Sequence, residues 1–483
     1  MFTLNDLLLG NEGKLRLLSP AAPDPGMTFP AAQHDSRLLE PGDLFVAISG
    51  ARVDGHRFIP TVAGAGAGAA LCTEPSEDVP AGFLQIVTKN VIEALHGAAR
   101  VRAERQRREY STIFIGITGS NGKTSTKEAA ATVLSHAAPT LKTYASYNNE
   151  IGYPLTLLRL EPRHRFAVLE MGAQWVGELA WLCETIARPD WSIVTNVGAA
   201  HLEYFGSQER VVLAKSELVQ ALSPEGIAIL NYDDPNVRGM REKTAARVLF
   251  YGMNEEAEVR GSDIQGDELR GFRFTLSYHD RNVPVQLHLP GAHGVATALA
   301  AAAAGCAAGL PLDDIRDALE SLAPAKGRCE IKPGPNGSTL IDDTYNANRQ
   351  SILAITHAMR SAGLPPGGKR WAVLGDIFEL GKYARDEHFQ SGEYLAGRVD
   401  YLVAIGDEAR YYVEGAISAR LPADHTWLFP ANVESKAELD AAKAAASALL
   451  KQRVRPEDLV LLKGSRGMQM ETMLPLLKEG DIR

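Results

Sequence analysis

The chain has 483 residues, 45% hydrophobic and 23% charged, a globular mixture that excludes a mostly disordered or collagen-like polymer. Its length predicts roughly two to four domains. With 50 Lys+Arg against 59 Asp+Glu the net charge is −9, which argues against a broad basic nucleic-acid footprint.

No apolar run approaches the ~20 residues of a membrane-crossing helix. The N-terminus lacks a basic stretch ahead of its short apolar run, so no signal peptide is expected. Cys72, Cys183, Cys306 and Cys329 are scattered without metal-ligand spacing and read as reduced thiols of a cytoplasmic protein.

The first ~109 residues alternate short apolar runs with turns. Strands are expected at Leu44–Ile48, Ala69–Thr73 and Phe83–Val87, and a helix from Asn90 to Arg108. Its arginine-rich end suits the negative pole of the helix dipole and reads as solvated. From Ser111 the rhythm changes. The apolar run TIFIGITG leads into a glycine turn and a helix expected over Lys127–His136. Further strands are expected at Phe166–Glu170, Trp191–Asn196 and Ile227–Asn231. Strands alternating with helices predict a parallel, doubly wound sheet. Residues Val259–Leu289 alternate in polarity and predict an antiparallel insertion or edge. An Ala-rich helix follows Pro290 and closes this region near Pro324. The parallel rhythm returns with strands at Ser338–Asp343, Trp371–Asp376, Tyr401–Asp407 and Leu459–Ser465. Ligands of open α/β sheets sit beyond the carboxyl ends of strands, so the turns there are the places to look for chemistry.

The strongest motif is GITGSNGKTST, Gly116 to Thr126, between a strand and a helix. Successive glycines let backbone N–H groups curl around phosphate oxygens, and the helix N-terminus adds partial positive charge. Lys123 would reach the β- and γ-phosphates, and Thr124 would offer its hydroxyl to Mg²⁺. The match departs from the strict spacing, because Ile117 stands where the first glycine is usual. Glu170 ends a strand and is placed to hold Mg²⁺, which prefers oxygen ligands. Asn196 and His201 follow the next strand of the same sheet. Lys215, read alone, is a solvated helical lysine. No Asn-Lys-x-Asp guanine reader is present, which favours ATP over GTP.

Taken together, TGSNGKTST, LEMG, NVGAAH, AKSE, KGRCE and IDDTYNAN resemble the Mur ligases, ATP-dependent amide-forming enzymes of bacterial peptidoglycan synthesis. The resemblance spans nearly the whole chain in order. The segments DSRLLEPGDLFVAISGARVDGHRFI, YNNEIGYPLTLL, DDTYNANRQSI and VLGDIFELGKYARDEH are similar to the branch that joins D-alanyl-D-alanine to UDP-N-acetylmuramoyl-tripeptide (UDP-MurNAc-tripeptide). This implies an α/β protein of three domains. Residues 1–109 would be a smaller UDP-substrate-binding domain, 110–323 a central P-loop ATPase-type domain, and 324–483 a Rossmann-like domain on the D-Ala-D-Ala side. The implied reaction passes through an acyl phosphate and gives UDP-MurNAc-pentapeptide, ADP and phosphate.

The resemblance also implies site residues. Gly119, Ser120, Asn121, Gly122, Lys123, Thr124 and Ser125 would cradle ATP. Thr124, Glu170, His201 and Lys215 would hold or surround two Mg²⁺ ions, Lys215 as a carbamate. Arg328 would touch the γ-phosphate and Asp343 the ribose. Asp35, Ser36 and Arg37 would contact the uridine nucleotide, Asn148 and Asn149 the sugar-peptide, and Tyr345 and Asn346 an interdomain seam. Thr297 stands where the family often has an adenine-reading Asn, and a hydroxyl makes fewer contacts to the base than an amide. The dipeptide pocket would draw on Asp376, Glu379 and the loop Lys463–Arg466. A monomer without nucleic-acid or integral-membrane partners is expected.

Folylpolyglutamate synthase shares the later architecture but lacks a uridine domain ahead of the phosphate loop. The MurE type usually carries an Asp-Asn-Pro-Arg selector, and no such string occurs here. A non-catalytic relative would have lost Lys123, Glu170 or His201, and all three are present.

Overall fold

The computed structural model describes residues 1–19, 22–50, 53–198, 205–267, 269–291, 293–324 and 326–478. His201 lies outside the described residues. The chain divides into two compact units. One comprises Met1–Arg260, Ser277–Asn282 and Thr297–Ala318; the other comprises Gly261–Leu276, Val283–Ala296 and Leu319–Arg483.

The first unit opens with strand β1 (Phe2–Thr3) and helix α1 (Leu4–Gly10), where Thr3 and Asp6 form a reciprocal capping box. Strand β1 pairs with β3 (Thr28–Phe29). A five-stranded sheet follows, built from β2 (Arg16–Leu18), β4 (Ala32–Gln33), β5 (Leu44–Val46), β6 (Ala69–Cys72) and β7 (Leu84–Val87), in the order β2-β7-β6-β5-β4. Helix α2 (Ile59–Gly64) lies between β5 and β6. Helix α3 (Val91–Tyr110) is capped by Asn90, whose side chain accepts from the N–H groups of Ile92 and Glu93.

The arginine-rich end of α3 corrects the expectation of a solvated terminus. Arg102 is 4% exposed and donates to Leu160 O at 2.5 Å. Gln106 is buried and donates to Glu161 O. Arg107 pairs with Asp190 at 3.2 Å and stacks over Phe114. Buried guanidinium and amide groups need partners, and carbonyls at the ends of neighbouring elements supply them. The segment is therefore a dock that ties α3 to the sheet behind it.

That sheet contains β8 (Ile113–Thr118), β9 (Thr140–Lys142), β10 (Phe166–Glu170), β11 (Trp191–Val194), β12 (Ile227–Asn231) and β13 (Arg247–Gly252). These six run parallel in the order β9-β10-β8-β11-β12-β13. Helices α4 (Lys123–Ser135), α5 (Gly152–Leu157), α6 (Glu178–Thr185) and α7 (Gln208–Gln220) connect them. Strand order reverses between β8 and β11, and the carboxyl ends of strands at such a switch point are where open α/β sheets bind ligands. Helix α4 begins one turn earlier than the sequence pattern predicts. Gly122, at φ 78°, is its N-cap, and Thr126 N–H donates to Gly122 O at 2.8 Å.

The alternating region forms β14 (Val259–Asp267), β15 (Gly271–Tyr278) and β16 (Arg281–Leu287), side by side in that order. β14 departs from the antiparallel expectation by pairing parallel to β13, Tyr251 opposite Val259. Helix α8 (His293–Ala307) is the expected Ala-rich helix; most of it is buried.

The second unit carries a six-stranded sheet. Its strands are β17 (Glu330–Pro333), β18 (Thr339–Asp343), β19 (Arg370–Gly375), β20 (Tyr401–Ile405), β21 (Thr426–Phe429) and β22 (Leu459–Lys463), ordered β17-β18-β22-β19-β20-β21. All but the edge strand β17 are parallel. All four cysteines are free and buried. Among the described residues no helix is long and apolar enough to cross a membrane.

Helices α1 and α3 cross with Gly10 against Gly97, so closely that a Cβ on Gly97 would overlap the Gly10 carbonyl. Gly97→Ala is expected to force the helices apart and destabilise the protein by roughly 1–3 kcal/mol. Denaturant unfolding of the variant checks this.

Candidate active site

In the first unit the phosphate loop turns between β8 and α4, and the end of β11 holds it in place. Ser120 N–H donates to Asn196 O at 2.9 Å, and Asn121 N–H to Asn196 Oδ1 at 3.0 Å. Thr195 Oγ1 and Asn196 Nδ2 donate to Asn121 O at 2.7 and 3.0 Å. Ser120 Oγ and the backbone of Gly198 bond in both directions. Gly119 has φ 147°, and a Cβ there would overlap Thr195 Oγ1. Lys123, the first residue of α4, folds back and donates to Gly119 O at 2.8 Å and Ser120 O at 3.3 Å. An ammonium bound to two loop carbonyls is poised to exchange them for phosphate oxygens. Thr124 Oγ1 lies 3.5 Å from Ser146 Oγ, and Ser125 is half-buried on the same turn.

Glu170 ends β10 opposite Ile117 of β8. It is 1% exposed. Its Oε1 accepts from Asn148 Nδ2 at 2.8 Å, and its backbone N–H donates to Thr143 Oγ1 at 2.9 Å. Its other oxygen, Oε2, is buried without a hydrogen-bond partner. A buried carboxylate oxygen left open in this way fits a hard cation, which takes oxygen ligands. Asn148 was expected on the sugar-peptide; here its amide aims the carboxylate. Asn149 Oδ1 accepts from Gly152 N–H, at the first residue of α5, at 3.0 Å.

Sequence reasoning missed Lys127. Its side chain is fully buried, with Nζ 2.6 Å from Ala145 O, 3.1 Å from Glu128 Oε1 and 3.9 Å from Glu170 Oε2. The available signal was its spacing, one helical turn after Lys123 on the same face of α4.

Lys215 on α7 is 3% exposed, not solvated as its isolated sequence context predicts. Burial, and then the charge of Lys123, push its amine down to about 7, against the opposing pull of Glu178 and Glu217. It is therefore substantially a free amine near neutral pH. Glu217 is occupied elsewhere, accepting from the N–H groups of Gly177, Leu179 and Ala180 at the start of α6. Thr297 is buried within α8.

Near the N-terminus, Arg37 donates to both oxygens of Asp35 in a turn that leaves its guanidinium exposed, with Ser36 half-buried between them. His34 packs on Tyr147, ring centroids 5.5 Å apart. A small cleft beside this turn is lined by Gln33, Tyr144, Tyr147 and Arg159.

In the second unit, the carboxyl ends of β18, β22 and β19 stand side by side. Asp343 is paired in register with Lys463, which donates to its Oδ2 at 2.5 Å and to Asn346 O at 2.9 Å. Asp343 Oδ1 accepts from Cys329 N–H at 3.2 Å. Lys463 is thus a buried partner of Asp343 and not a free arm of the loop. Arg328 stacks on the Tyr345 ring at 4.2 Å, and the Arg466 guanidinium lies 5.6 Å from the same ring. Asn346 Oδ1 accepts from Arg466 N–H at 3.2 Å. Glu379 is exposed at φ 64°.

Asp376 turns inward. Its Oδ2 accepts from the N–H groups of Asp407 and Glu408 at 2.9 and 3.2 Å. Burial pushes its carboxyl up to about 6 against those two hydrogen bonds. His388 Nε2, 4.0 Å away, is already used as an acceptor by Ile377 N–H.

The chain matches three families along its length. They are "Mur ligase family, catalytic domain" over residues 31–107, "Mur ligase middle domain" over 117–305, and "Mur ligase, glutamate ligase domain" over 327–466. It is 37% identical over 478 residues to the UDP-N-acetylmuramoyl-tripeptide–D-alanyl-D-alanine ligase of Mycobacterium tuberculosis H37Rv, covering 93% of this chain and 92% of that one. It is 36% identical to the Escherichia coli K12 ligase of the same name, covering 94% of each. A crystal structure of MurF from Acinetobacter baumannii superposes with a TM-score of 0.82 at 31% identity, covering 98% of both chains. The Thermotoga maritima MurF ligase in complex with ADP gives 0.73 at 27% identity, covering 92% of this chain and 96% of that one.

Two outcomes test this geometry. Gly119→Ala is expected to weaken ATP binding roughly 10- to 100-fold, because the strain of ~1–3 kcal/mol falls on the loop itself; calorimetric titration with a non-hydrolysed analogue measures it. For Asp376 the folded carboxyl titrates above its unfolded value, so ionisation lowers stability as pH rises from about 4 to about 6. The melting temperature of Asp376→Asn minus that of the parent chain should therefore grow across that window, and a flat difference would contradict it.

Proposed function

The chain belongs to the Mur ligase family, and we propose from that premise that it joins D-alanyl-D-alanine to UDP-MurNAc-tripeptide at the expense of ATP. The carrying observation is full-length similarity, at 36–37% identity, to ligases that bear this name, in a chain that folds the nucleotide loop such a reaction needs. The terminal carboxylate of the tripeptide attacks the γ-phosphorus, the bond to the bridging oxygen breaks, and ADP departs. The amine of the dipeptide then attacks the acyl carbon, loses a proton and expels phosphate, forming the amide.

In this reading Lys123 leaves the carbonyls of Gly119 and Ser120 and follows the charge that builds on the transferring phosphoryl group. Ser120, Asn121, Gly122, Thr124 and Ser125 complete the nucleotide cradle. The open oxygen of Glu170 supports a magnesium site completed by Thr124, His201 and Lys215, with two ions as the working stoichiometry. Magnesium, when bound, screens the phosphate charge and polarises the γ-phosphoryl group. Lys215 would serve there as a carbamate, formed when its neutral amine adds to carbon dioxide and loses a proton. Its low basicity near pH 7 supports that chemistry. Arg328, steadied on Tyr345, is assigned to the γ-phosphate, Asp343 to the ribose and Thr297 to the adenine. Asp35, Ser36 and Arg37, beside the Tyr147 cleft, are assigned to the uridine nucleotide.

Residues 1–109 would serve the uridine end, 110–323 ATP, and 324–483 the dipeptide. The free thiols suit a reducing compartment, so the protein is assigned to the cytoplasm, with a monomer as the working state.

Phosphate release should require UDP-MurNAc-tripeptide and D-Ala-D-Ala together, with UDP-MurNAc-pentapeptide detected by mass. Turnover with folate and glutamate instead would refute the assignment. Lys123→Ala should lower kcat by roughly 10²–10³. With carbon-13 bicarbonate the parent chain should give a carbamate resonance that Lys215→Arg abolishes; its absence from the active parent would remove the carbamate from the mechanism.

A further inference from the structure

The buried lysine of α4 has no part in the roles assigned above, yet it faces the proposed metal carboxylate. Lys127 Nζ contacts three acceptors, all within the first unit. The bond to Ala145 O, at 2.6 Å, holds a non-glycine residue at φ 47°. That residue sits in the 143–149 segment, which supplies both Thr143 and Asn148 to Glu170. The second acceptor, Glu128, pairs in turn with Lys142. The third distance, 3.9 Å to Glu170 Oε2, is too long for a hydrogen bond and short enough for strong charge attraction in a buried setting. So Oε2 is electrically compensated while its lone pairs stay free.

We propose that Lys127 is a positioning residue and resident counter-ion. It keeps Glu170 aimed before the metal arrives, and by its charge it discourages a divalent ion from occupying the site until a nucleotide brings compensating negative charge. The metal is thereby coupled to ATP and binds only weakly without it. This rests on the reading of Glu170 as a magnesium ligand. The physical reason is that water screens a fully buried ammonium less than an exposed one, so an approaching divalent ion feels more of its repulsion.

The test is Mn²⁺ titration of the full chain, followed by electron paramagnetic resonance, with and without a non-hydrolysed ATP analogue. The parent chain should hold Mn²⁺ much more tightly with the analogue than without it; equal affinity in both conditions overturns the proposal. Lys127→Gln retains a donor for Ala145 O and drops the charge. It should bind Mn²⁺ without nucleotide roughly tenfold more tightly than the parent while losing most of the nucleotide dependence. Lys127→Met should do the same if the loop keeps its shape. A folded variant, by its melting curve, with unchanged or weaker nucleotide-free Mn²⁺ binding overturns the proposal, because a purely structural lysine predicts no gain. Glu170→Gln separates the two readings. If it leaves Mn²⁺ binding with the analogue intact, the magnesium assignment fails and the proposal with it. If it abolishes binding while Lys127→Gln changes nothing, only the role of Lys127 fails.

Discussion

A four-residue turn that cannot hold its own shape is the element on which the proposed chemistry depends. Residues Gly119–Gly122 belong to neither β8 nor α4, and the N–H groups of Ser120 and Asn121 are both held by Asn196. The end of β11 supplies the missing support through Thr195, Asn196 and Gly198. This works because β8 and β11 are adjacent parallel strands in register, Thr118 beside Val194. Sheet order therefore precedes loop shape.

Around that loop, charged groups are held in ways that a ligand could alter. Lys123 borrows two carbonyls, Glu170 keeps one oxygen open, and burial pushes the Lys215 amine down to about 7. The second unit is organised differently. Asp343 and Lys463 form a buried pair, and Arg328 and Arg466 share one aromatic ring. The second arrangement gathers its cations by pairing and stacking, Arg466 on Glu471 and Arg328 on Tyr345.

Much of this was legible in the sequence. Lys123 and Glu170 could be found because strand, turn and helix follow one another, so a side chain at a strand tip has a predictable address. The same logic reached Asp343, but not its bond to Lys463, since residues 120 positions apart meet only once strand order is known. Lys127 looked like an ordinary helical lysine because nothing local tells a buried face from a wet one when the acceptor is a distant carbonyl. The basic end of α3 was misjudged for the same reason: Arg102 and Arg107 have the composition of a solvated terminus and the partners of a joint. Helix α4 began early because Gly122 adopts a left-handed conformation that apolar periodicity does not encode.

That joint bears on how the molecule can be divided. Its sequence invites a cut near residue 110, between two sheets that look self-sufficient. Such a cut would strip Leu160 O and Glu161 O of their donors, deprive Asp190 of its guanidinium and uncover the Phe114 ring. The segment that carries the phosphate-loop motif borrows part of its interior from the segment before it. A fragment carrying the phosphate loop alone would begin life with an open seam, and inhibitors screened against it would meet a surface that the intact protein does not expose.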